Sequence, residues 1–406
     1  MYGILGESLP HTHSPFLHRE IWNCQYRKLE MSEEKAKAFL SARQFDGLNV
    51  TIPYKKLSFE KCDVLSERAK RVGCVNTVVN RGGVLFGYNT DYGGFYALSR
   101  SVGVDFYKKK VVILGSGGTY LTAKTVCEDN GAAEIICVSR SGENNYSNIS
   151  KHFDADIIVN TTPCGMFPKN GGAPLDLSKF KALSAVIDVI YNPLKTRLVL
   201  QAQELGIAAA GGLEMLITQA VDSARLFSGK PISPDKIESV KKKMDRRTQN
   251  IVLIGMPGCG KTTLGRIVSG ILNKPFFDTD REITAKEGMS IERIFKEKGE
   301  EYFRDAESEV ISELGRKSGV VIACGGGSIL RRENRLNLMQ NGRIYFINRR
   351  LDRLSTKGRP LSNGEGALER LYSQRVKIYR SMCDREIFSN QAIDSCASEI
   401  IRDFME

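Results

Sequence analysis

A short apolar run, Ile251-Val-Leu-Ile254, leads directly into Gly255-Met-Pro-Gly-Cys-Gly-Lys-Thr262, and the residues that follow, Thr263 to Val268, carry a helical pattern. No other segment constrains the chain as tightly. Glycines let backbone N–H groups close around a phosphate, and the helix start adds the positive end of its dipole. A lysine at this spacing reaches the outer phosphate oxygens, and the threonine hydroxyl is offered to magnesium. Gly258, Cys259, Gly260, Lys261, Thr262 and Thr263 are therefore expected to hold a nucleoside triphosphate such as ATP with Mg2+. The fold around them should be a parallel α/β sheet. The loop by itself does not name the acceptor.

The same alternation of β-rich runs and helical stretches continues through Val111–Leu114, Glu134–Val138, Asp156–Val159, Ala185–Val189, Val320–Ala323 and Arg343–Ile347. Continuous apolar strands of this kind belong to parallel sheets covered by helices on both faces. An α/β fold is expected from end to end. At 406 residues the chain needs more than one core. A charged, helix-like stretch from Lys236 to Gln249 precedes the Ile251 strand, which puts a domain boundary near residue 246.

Composition excludes several classes. With 41% hydrophobic and 26% charged residues, the chain has no apolar run of the ~18 residues needed to span a bilayer. Its first residues turn polar too early for a secretory leader. A cytoplasmic location and no membrane partner are expected. Ten cysteines, none in a CxxC pair, and four histidines read as reduced thiols without a zinc site. His11-Thr-His13 reads as a loop lining a polar pocket rather than a metal pair. The net charge of +12 comes without aromatic-basic interleaving or a helix-turn-helix pattern, so phosphate-bearing cofactors explain it better than nucleic acid. The sequence carries no signal of oligomeric state.

Beyond the phosphate loop, Phe276-Phe-Asp-Thr-Asp280 ends a short strand with two carboxylates at i, i+2. In an extended chain these point the same way, one toward magnesium and one toward a substrate hydroxyl; alone, the pair is equally a solvated turn. Then come Phe303-Arg304 with Glu307, the triplet Gly325-Gly-Gly327, Gly358-Arg359-Pro-Leu361, and Arg375 four residues before Tyr379. Arginine suits planar, two-pronged capture of a carboxylate, and glycines let a ligand come close. Residues 248–406 thus resemble shikimate kinase in the order P-loop, D-x-D, F-R-x-x-E, G-G-G, R-P-L and R-x-x-x-Y. The resemblance implies that Asp280, Arg304, Gly326, Gly327 and Arg375 bind shikimate. It also implies that Thr262 and Asp278 serve the metal, and that Arg359 belongs to a lid over the phosphates.

The N-terminal half holds a second glycine loop, Gly115-Ser-Gly117-Gly118, after a strand and before a helical stretch. Alone, it is as consistent with an ordinary strand-to-helix turn as with a dinucleotide site. The next strand ends at Ser139-Arg140-Ser141, where an NAD site would usually carry an acidic residue. An arginine between two hydroxyls suits a 2′-phosphate, which favours NADPH. Lys55, after a Pro-marked strand end, and Asp91, in an expected turn, are candidates for polarising and protonating a ketone oxygen. Either one alone would read as surface charge.

The surrounding pattern resembles shikimate dehydrogenase over residues 1–245. It comprises Gly3–Gly6 with Ser14-Pro, Asn49-Val-Thr-Ile-Pro-Tyr-Lys55, Val75-Asn-Thr77, Asn89-Thr-Asp91, Asn160-Thr-Thr-Pro, Asp188-Val-Ile-Tyr-Asn-Pro193 and Gly212-Leu-Glu-Met-Leu with Gln219. The resemblance implies Lys55 and Asp91 as the catalytic pair. It implies Thr12, Ser14, Thr51, Asn76 and Gln219 as substrate ligands, and Gly115, Gly117, Gly118, Ser139, Arg140 and Ser141 as the NADPH site. It further implies a substrate domain at 1–92 and 213–245, a Rossmann-like NADP domain at 93–212 and a P-loop kinase domain at 246–406. The expected function is two consecutive steps: reduction of 3-dehydroshikimate, then phosphorylation of shikimate. A quinate-directed dehydrogenase, a nucleotide-sensing C-terminal module without transfer activity and, third, a nucleic-acid-binding role for the basic linker are the alternatives.

Overall fold

The computed structural model describes residues 1–10, 12–354, 367–390 and 392–406. Contacts divide the chain into two units, Met1–Lys241 and Lys242–Glu406. The first unit begins with β1 (Tyr2–Gly6), α1 (Ser14–Trp22), β2 (Tyr26–Glu30), α2 (Glu33–Ala42), β3 (Gly47–Val50), α3 (Lys55–Lys61), β4 (Val64–Leu65), α4 (Glu67–Val72), β5 (Thr77–Arg81), β6 (Val84–Tyr88) and α5 (Asp91–Ser101). It continues with β7 (Lys110–Leu114), α6 (Gly118–Asp129), β8 (Glu134–Val138), β9 (Ile157–Asn160), β10 (Ala185–Asp188), α7 (Arg197–Glu204), β11 (Ala208–Ala210) and α8 (Leu213–Ser228). Helix α9 (Pro234–Thr248) spans the unit boundary.

Two sheets form in this unit. The first, in order β2-β1-β3-β5-β6-β4, is mixed: β5 runs antiparallel to both β3 and β6. The tight Gly82-Gly83 turn, with φ of +61° and +89°, supplies the left-handed backbone that joins β5 directly to β6. The second sheet, β11-β10-β9-β7-β8, is wholly parallel. Its strands Val111–Leu114 and Ile157–Val159 are fully buried on both faces, as their unbroken apolar sequences require. Because β7 lies between β9 and β8, the chain leaves it at a switch in strand order, where a crevice opens beyond the strand ends. Gly115 stands at that point.

The second unit adds β12 (Asn250–Ile254), α10 (Lys261–Leu272), β13 (Phe276–Asp278), α11 (Thr279–Glu287), α12 (Ile291–Glu297), α13 (Gly299–Gly315), β14 (Val321–Ala323), α14 (Arg332–Met339), β15 (Gly342–Asn348), α15 (Ala367–Met382), β16 (Arg385–Phe388) and α16 (Ile393–Met405). Its parallel sheet runs β13-β14-β12-β15-β16, again with a switch point, here at the end of β12. Ile251–Ile254 and Ile344–Ile347 form the centre of its core. No helix among the described residues is long and apolar enough to cross a membrane.

Candidate functional site

In the first unit, β3 ends at Val50 and α3 starts at Lys55, while α5 starts at Asp91. Both expected catalytic residues therefore sit at helix starts, and Asp91 is not in the loose turn that its neighbours suggested. Lys55 Nζ donates to Asp91 Oδ2 at 2.5 Å, with only 13% and 10% of the two side chains exposed. Burial pushes the Lys55 ammonium down, but the charge and hydrogen bond of Asp91 outweigh it, so its pKa stands above the ordinary lysine value. The lysine is thus held protonated.

The second glycine loop meets this pair. A Cβ placed on Gly118 would lie 3.4 Å from Lys55 Cδ, while one on Gly117 would meet nothing within 4 Å. Gly115 has φ +101°, and a Cβ there would strike Thr161 Oγ1 at 2.8 Å, so only glycine fits. Open space at Gly117 and the start of α6 at Gly118 fit a pyrophosphate laid against a helix N-terminus. At the end of β8, Arg140 is exposed between Ser139 and Ser141. That leaves its guanidinium available to a 2′-phosphate.

The expected substrate ligands fall into separate groups. Thr12 Oγ1 donates to Ser14 Oγ at 3.1 Å, and the Ser14 N–H returns to Thr12 Oγ1 at 3.2 Å. Thr51 follows β3, with its methyl against Gly6. Asn76 is 3% exposed, and its Oδ1 accepts the Thr90 N–H at 2.7 Å. Gln219 lies on α8 beside Gly94 of α5, with its Nε2 on the Leu216 carbonyl at 2.8 Å. A separate cavity of about 380 Å³ lined by Met1, Tyr2, Trp22, Cys24 and Arg27 includes none of these residues.

In the second unit, the phosphate loop has left-handed glycines at Gly258 (φ +84°) and Gly260 (φ +99°). Cys259 is fully buried and Thr263 exposed. Lys261 Nζ, on a side chain only 8% exposed, donates to the Gly255 and Met256 carbonyls at 2.9 Å each. Such an ammonium, resting on two carbonyls at the mouth of a phosphate nest, has the charge and reach a polyphosphate needs. Thr262 Oγ1 donates to Asp278 Oδ2 at 2.6 Å. This pair of hard oxygens, one of them anionic, suits Mg2+.

The expectation of two carboxylates on one extended strand is corrected. β13 stops at Asp278, which caps α11 by accepting the N–H groups of Asp280 (3.1 Å) and Arg281 (3.4 Å), so Asp280 belongs to the first helical turn. The two side chains are separated by helix geometry rather than strand pleat. Asp280 instead faces the glycine triplet: a Cβ on Gly325 would lie 2.7 Å from Asp280 Oδ1. The glycines also serve the protein itself. A Cβ on Gly326 would meet Pro257 Cδ at 2.6 Å, and one on Gly327 would meet Arg304 Nη1 at 2.5 Å.

Arg304 is held from two sides. Its Nη1 donates to Glu307 Oε2 at 2.7 Å, and its Nε and Nη2 reach Glu300 Oε1 at 3.3 and 3.1 Å. Glu307, 1% exposed, also accepts the Ser328 hydroxyl at 2.6 Å. Arg375 is 4% exposed, its buried Nε has no hydrogen-bond partner among the described residues, and a carboxylate is a natural complement to it. Tyr379, one turn on, donates to the Gly326 carbonyl at 2.5 Å and stacks on Phe346. Arg359, with the Gly358-Arg-Pro-Leu361 segment, lies outside the described residues. Sequence reasoning gave no role to Ser328, Tyr379 or Thr90; Thr90, between Asn89 and Asp91, shows its part only through its bonds to Asn76 and Thr77.

The shikimate kinase family model matches residues 257–405, and the shikimate dehydrogenase substrate binding domain model matches residues 4–78. An NADP-dependent shikimate dehydrogenase of Caldicellulosiruptor bescii is 35% identical over 252 residues, covering 55% of this chain and 88% of the relative. One from Clostridium beijerinckii is 32% identical over 246 residues, covering 56% and 91%. Among solved structures, a chorismate mutase/shikimate 5-dehydrogenase fusion from Clostridium acetobutylicum superposes with TM-score 0.57 at 32% identity, covering 60% of this chain and 96% of that one. The Thermus thermophilus shikimate 5-dehydrogenase in complex with NADP(H) and shikimate gives TM-score 0.54 at 27% identity, covering 60% and 98%.

Proposed function

Because the chain belongs to the shikimate dehydrogenase family and carries a shikimate kinase domain behind that part, we propose that one polypeptide reduces 3-dehydroshikimate to shikimate and then phosphorylates shikimate. The product of the first step is the substrate of the second. The observation that carries the first activity is the buried Lys55–Asp91 pair set against the glycine loop at Gly118. We assign residues 1–92 and 213–245 to the substrate domain, 93–212 to the NADP domain and 246–406 to the kinase.

NADPH supplies a hydride to the keto carbon. As negative charge builds on the oxygen, the Lys55 ammonium donates a hydrogen bond and then a proton to it, and Asp91 keeps that ammonium charged and aimed. Thr12, Ser14, Thr51 and Gln219 hold the carboxylate and ring hydroxyls. Asn76 adds its remaining amide N–H. Gly115, Gly117 and Gly118 cradle the pyrophosphate, while Ser139, Arg140 and Ser141 take the 2′-phosphate.

In the kinase, ATP supplies the γ-phosphoryl group and Mg2+ screens its charge, with Thr262 and Asp278 as the residues that would hold the metal. Arg304 and Arg375 bind the shikimate carboxylate, and the Gly326–Gly327 backbone lines the ring. Asp280 orients the accepting hydroxyl and draws its proton away. Lys261 exchanges its two carbonyls for phosphate oxygens, and Gly258, Cys259, Gly260 and Thr263 complete the loop, with Arg359 assigned to the lid.

The test separates the two sites. Lys55→Ala should abolish reduction and leave shikimate phosphorylation at the wild-type rate, whereas Lys261→Ala and Asp280→Ala should do the reverse. A C-terminal domain that binds nucleotide but transfers no phosphate to shikimate would refute the kinase assignment.

A further inference from the structure

Asn49 is an amide in an otherwise apolar strand, β3, and is 5% exposed. A buried amide is unfavourable unless its hydrogen bonds are met. Around Asn49 the donors and acceptors can be assigned one by one. The Trp22 indole nitrogen can only donate, and it lies 3.0 Å from His18 Nδ1, so that nitrogen is the acceptor and the imidazole proton sits on Nε2. His18 Nε2 therefore donates to Asn49 Oδ1 at 3.0 Å, and the Tyr26 hydroxyl donates to the same oxygen at 2.6 Å. With its oxygen so fixed, Asn49 turns Nδ2 onto Thr77 Oγ1 at 3.1 Å. His18 is fully buried and stacked on Tyr26, and burial holds its pKa down at about 3, so the ring stays neutral.

The other end of the cluster is equally determined. The Thr90 N–H fills Asn76 Oδ1, which leaves Asn76 Nδ2 to donate to Thr90 Oγ1 at 3.0 Å. Thr77 and Thr90 share a hydrogen bond of 3.1 Å, and the remaining hydroxyl hydrogen reaches Asn76 Oδ1, at 3.2 Å from Thr77 or 3.3 Å from Thr90. Asn76, Thr77 and Thr90 thus close a ring inside the protein. Thr77 is its one member joined to Asn49. Thr90 immediately precedes Asp91, the first residue of α5. Among the described residues, the ring leaves one N–H of Asn76 unspent.

We propose that Thr77 is a positioning residue for the reduction: its hydroxyl, engaged by His18 through Asn49, clamps Asn76 against Thr90 so that one amide N–H of Asn76 and the carboxylate of Asp91 stand ready for the same substrate. This rests on the dehydrogenase reading above. Thr77→Val keeps shape and β-branching but removes the acceptor for Asn49 and the ring's hydroxyl. Thr77→Ser restores both.

Initial rates of 3-dehydroshikimate reduction by the full chain test it, with NADP+ binding and shikimate phosphorylation measured on the same preparations. Wild-type turnover tests the activity itself; the ratio of variant to wild type tests Thr77. Thr77→Val should lower kcat/KM for 3-dehydroshikimate at least tenfold, chiefly through KM, with KM for NADPH within twofold, and Thr77→Ser should recover to within threefold. A Thr77→Val enzyme within twofold of wild type, an equal rise in KM for NADPH, or a Thr77→Ser enzyme as impaired as Thr77→Val would overturn the role. Should Thr77→Val lose NADP+ binding through misfolding, Thr90→Val opens the same ring. Wild-type efficiency in that variant would overturn the proposal, and the tenfold loss would sustain it.

Discussion

Replacing Lys55 by methionine keeps the stem that packs toward Gly118 and removes only the ammonium, leaving Asp91 as a carboxylate 10% exposed without its cation. Breaking a fully buried ion pair costs roughly 3–5 kcal/mol. Because about a tenth of each side chain still meets solvent, we expect somewhat less than a fully buried pair would cost, roughly 2–3 kcal/mol. In a unit of this size each kcal/mol moves the melting point by roughly 2–4 °C, so Lys55→Met should melt about 5–10 °C below wild type. Adding Asp91→Asn removes the stranded charge, and the double variant should regain all but about 1 kcal/mol. Neither variant should reduce 3-dehydroshikimate at more than roughly a thousandth of the wild-type rate, the scale of a lost general acid. The pH dependence has a fixed sign. Lys55 has a folded pKa above the ordinary 10.5, so its contribution is fully present below 10.5 and lost as pH rises through the folded value. The gap between wild type and Lys55→Met should therefore stay constant from pH 6 to 9 and close only in stronger alkali. Thermal unfolding followed beside NADPH oxidation reads both effects. A Lys55→Met protein melting with wild type, or a double variant as unstable as the sum of the single changes, would refute the buried-pair reasoning.

Three further outcomes are expected. Arg140→Ala should raise KM for NADPH about tenfold or more while leaving NADH turnover unchanged, since a charge-assisted contact is worth roughly 1.5–3 kcal/mol; steady-state rates with both nucleotides check it. Glu307→Gln should slacken Arg304 and raise KM for shikimate about tenfold with KM for ATP unchanged, read in the kinase assay. Burial pushes the Asp188 carboxyl up to about 6 despite donors on Asn160, Thr196 and Ile190. A folded pKa above the unfolded 3.8 means stability present below pH 3.8 is lost as pH rises through 6, roughly 3 kcal/mol in all. Urea unfolding of Asp188→Asn, taken as a difference from wild type, should gain relative stability across that window and stay level above it.

Much of this molecule was legible because its chemistry sits where backbone geometry leaves little choice. The strand-loop-helix at Ile251–Val268 and the glycine loop at Gly115 both need left-handed or unobstructed backbone, so glycines following an apolar strand and opening a helix fall at the switch points of two parallel sheets, although the Gly115 loop gains its meaning only with Arg140 and the surrounding pattern. The mixed first sheet was less visible, because its antiparallel strands depend on the Gly82-Gly83 turn rather than on unbroken apolar runs. Asp280 was misplaced by one element: strand pleat and helix turn differ in phase, and the capping role of Asp278, which ends the strand, shows only through its bonds to the Asp280 and Arg281 N–H groups. The ring of Asn76, Thr77 and Thr90 was hidden for another reason. Its members are the first residue of β5, the residue before it and the residue before α5, and a closed hydrogen-bond circuit has no signature until the sheet brings them together.

The central claim is that one chain carries two consecutive reactions. Supplying the full-length protein with 3-dehydroshikimate, NADPH and Mg-ATP, and following NADPH loss with mass detection of the organic product, tests it in one vessel. We predict shikimate 3-phosphate formed in step with NADPH oxidation, with shikimate accumulating when ATP is withheld and no phosphorylated product forming when NADPH is withheld. Shikimate that accumulates unphosphorylated in the presence of Mg-ATP, or 3-dehydroshikimate left unreduced, would contradict it.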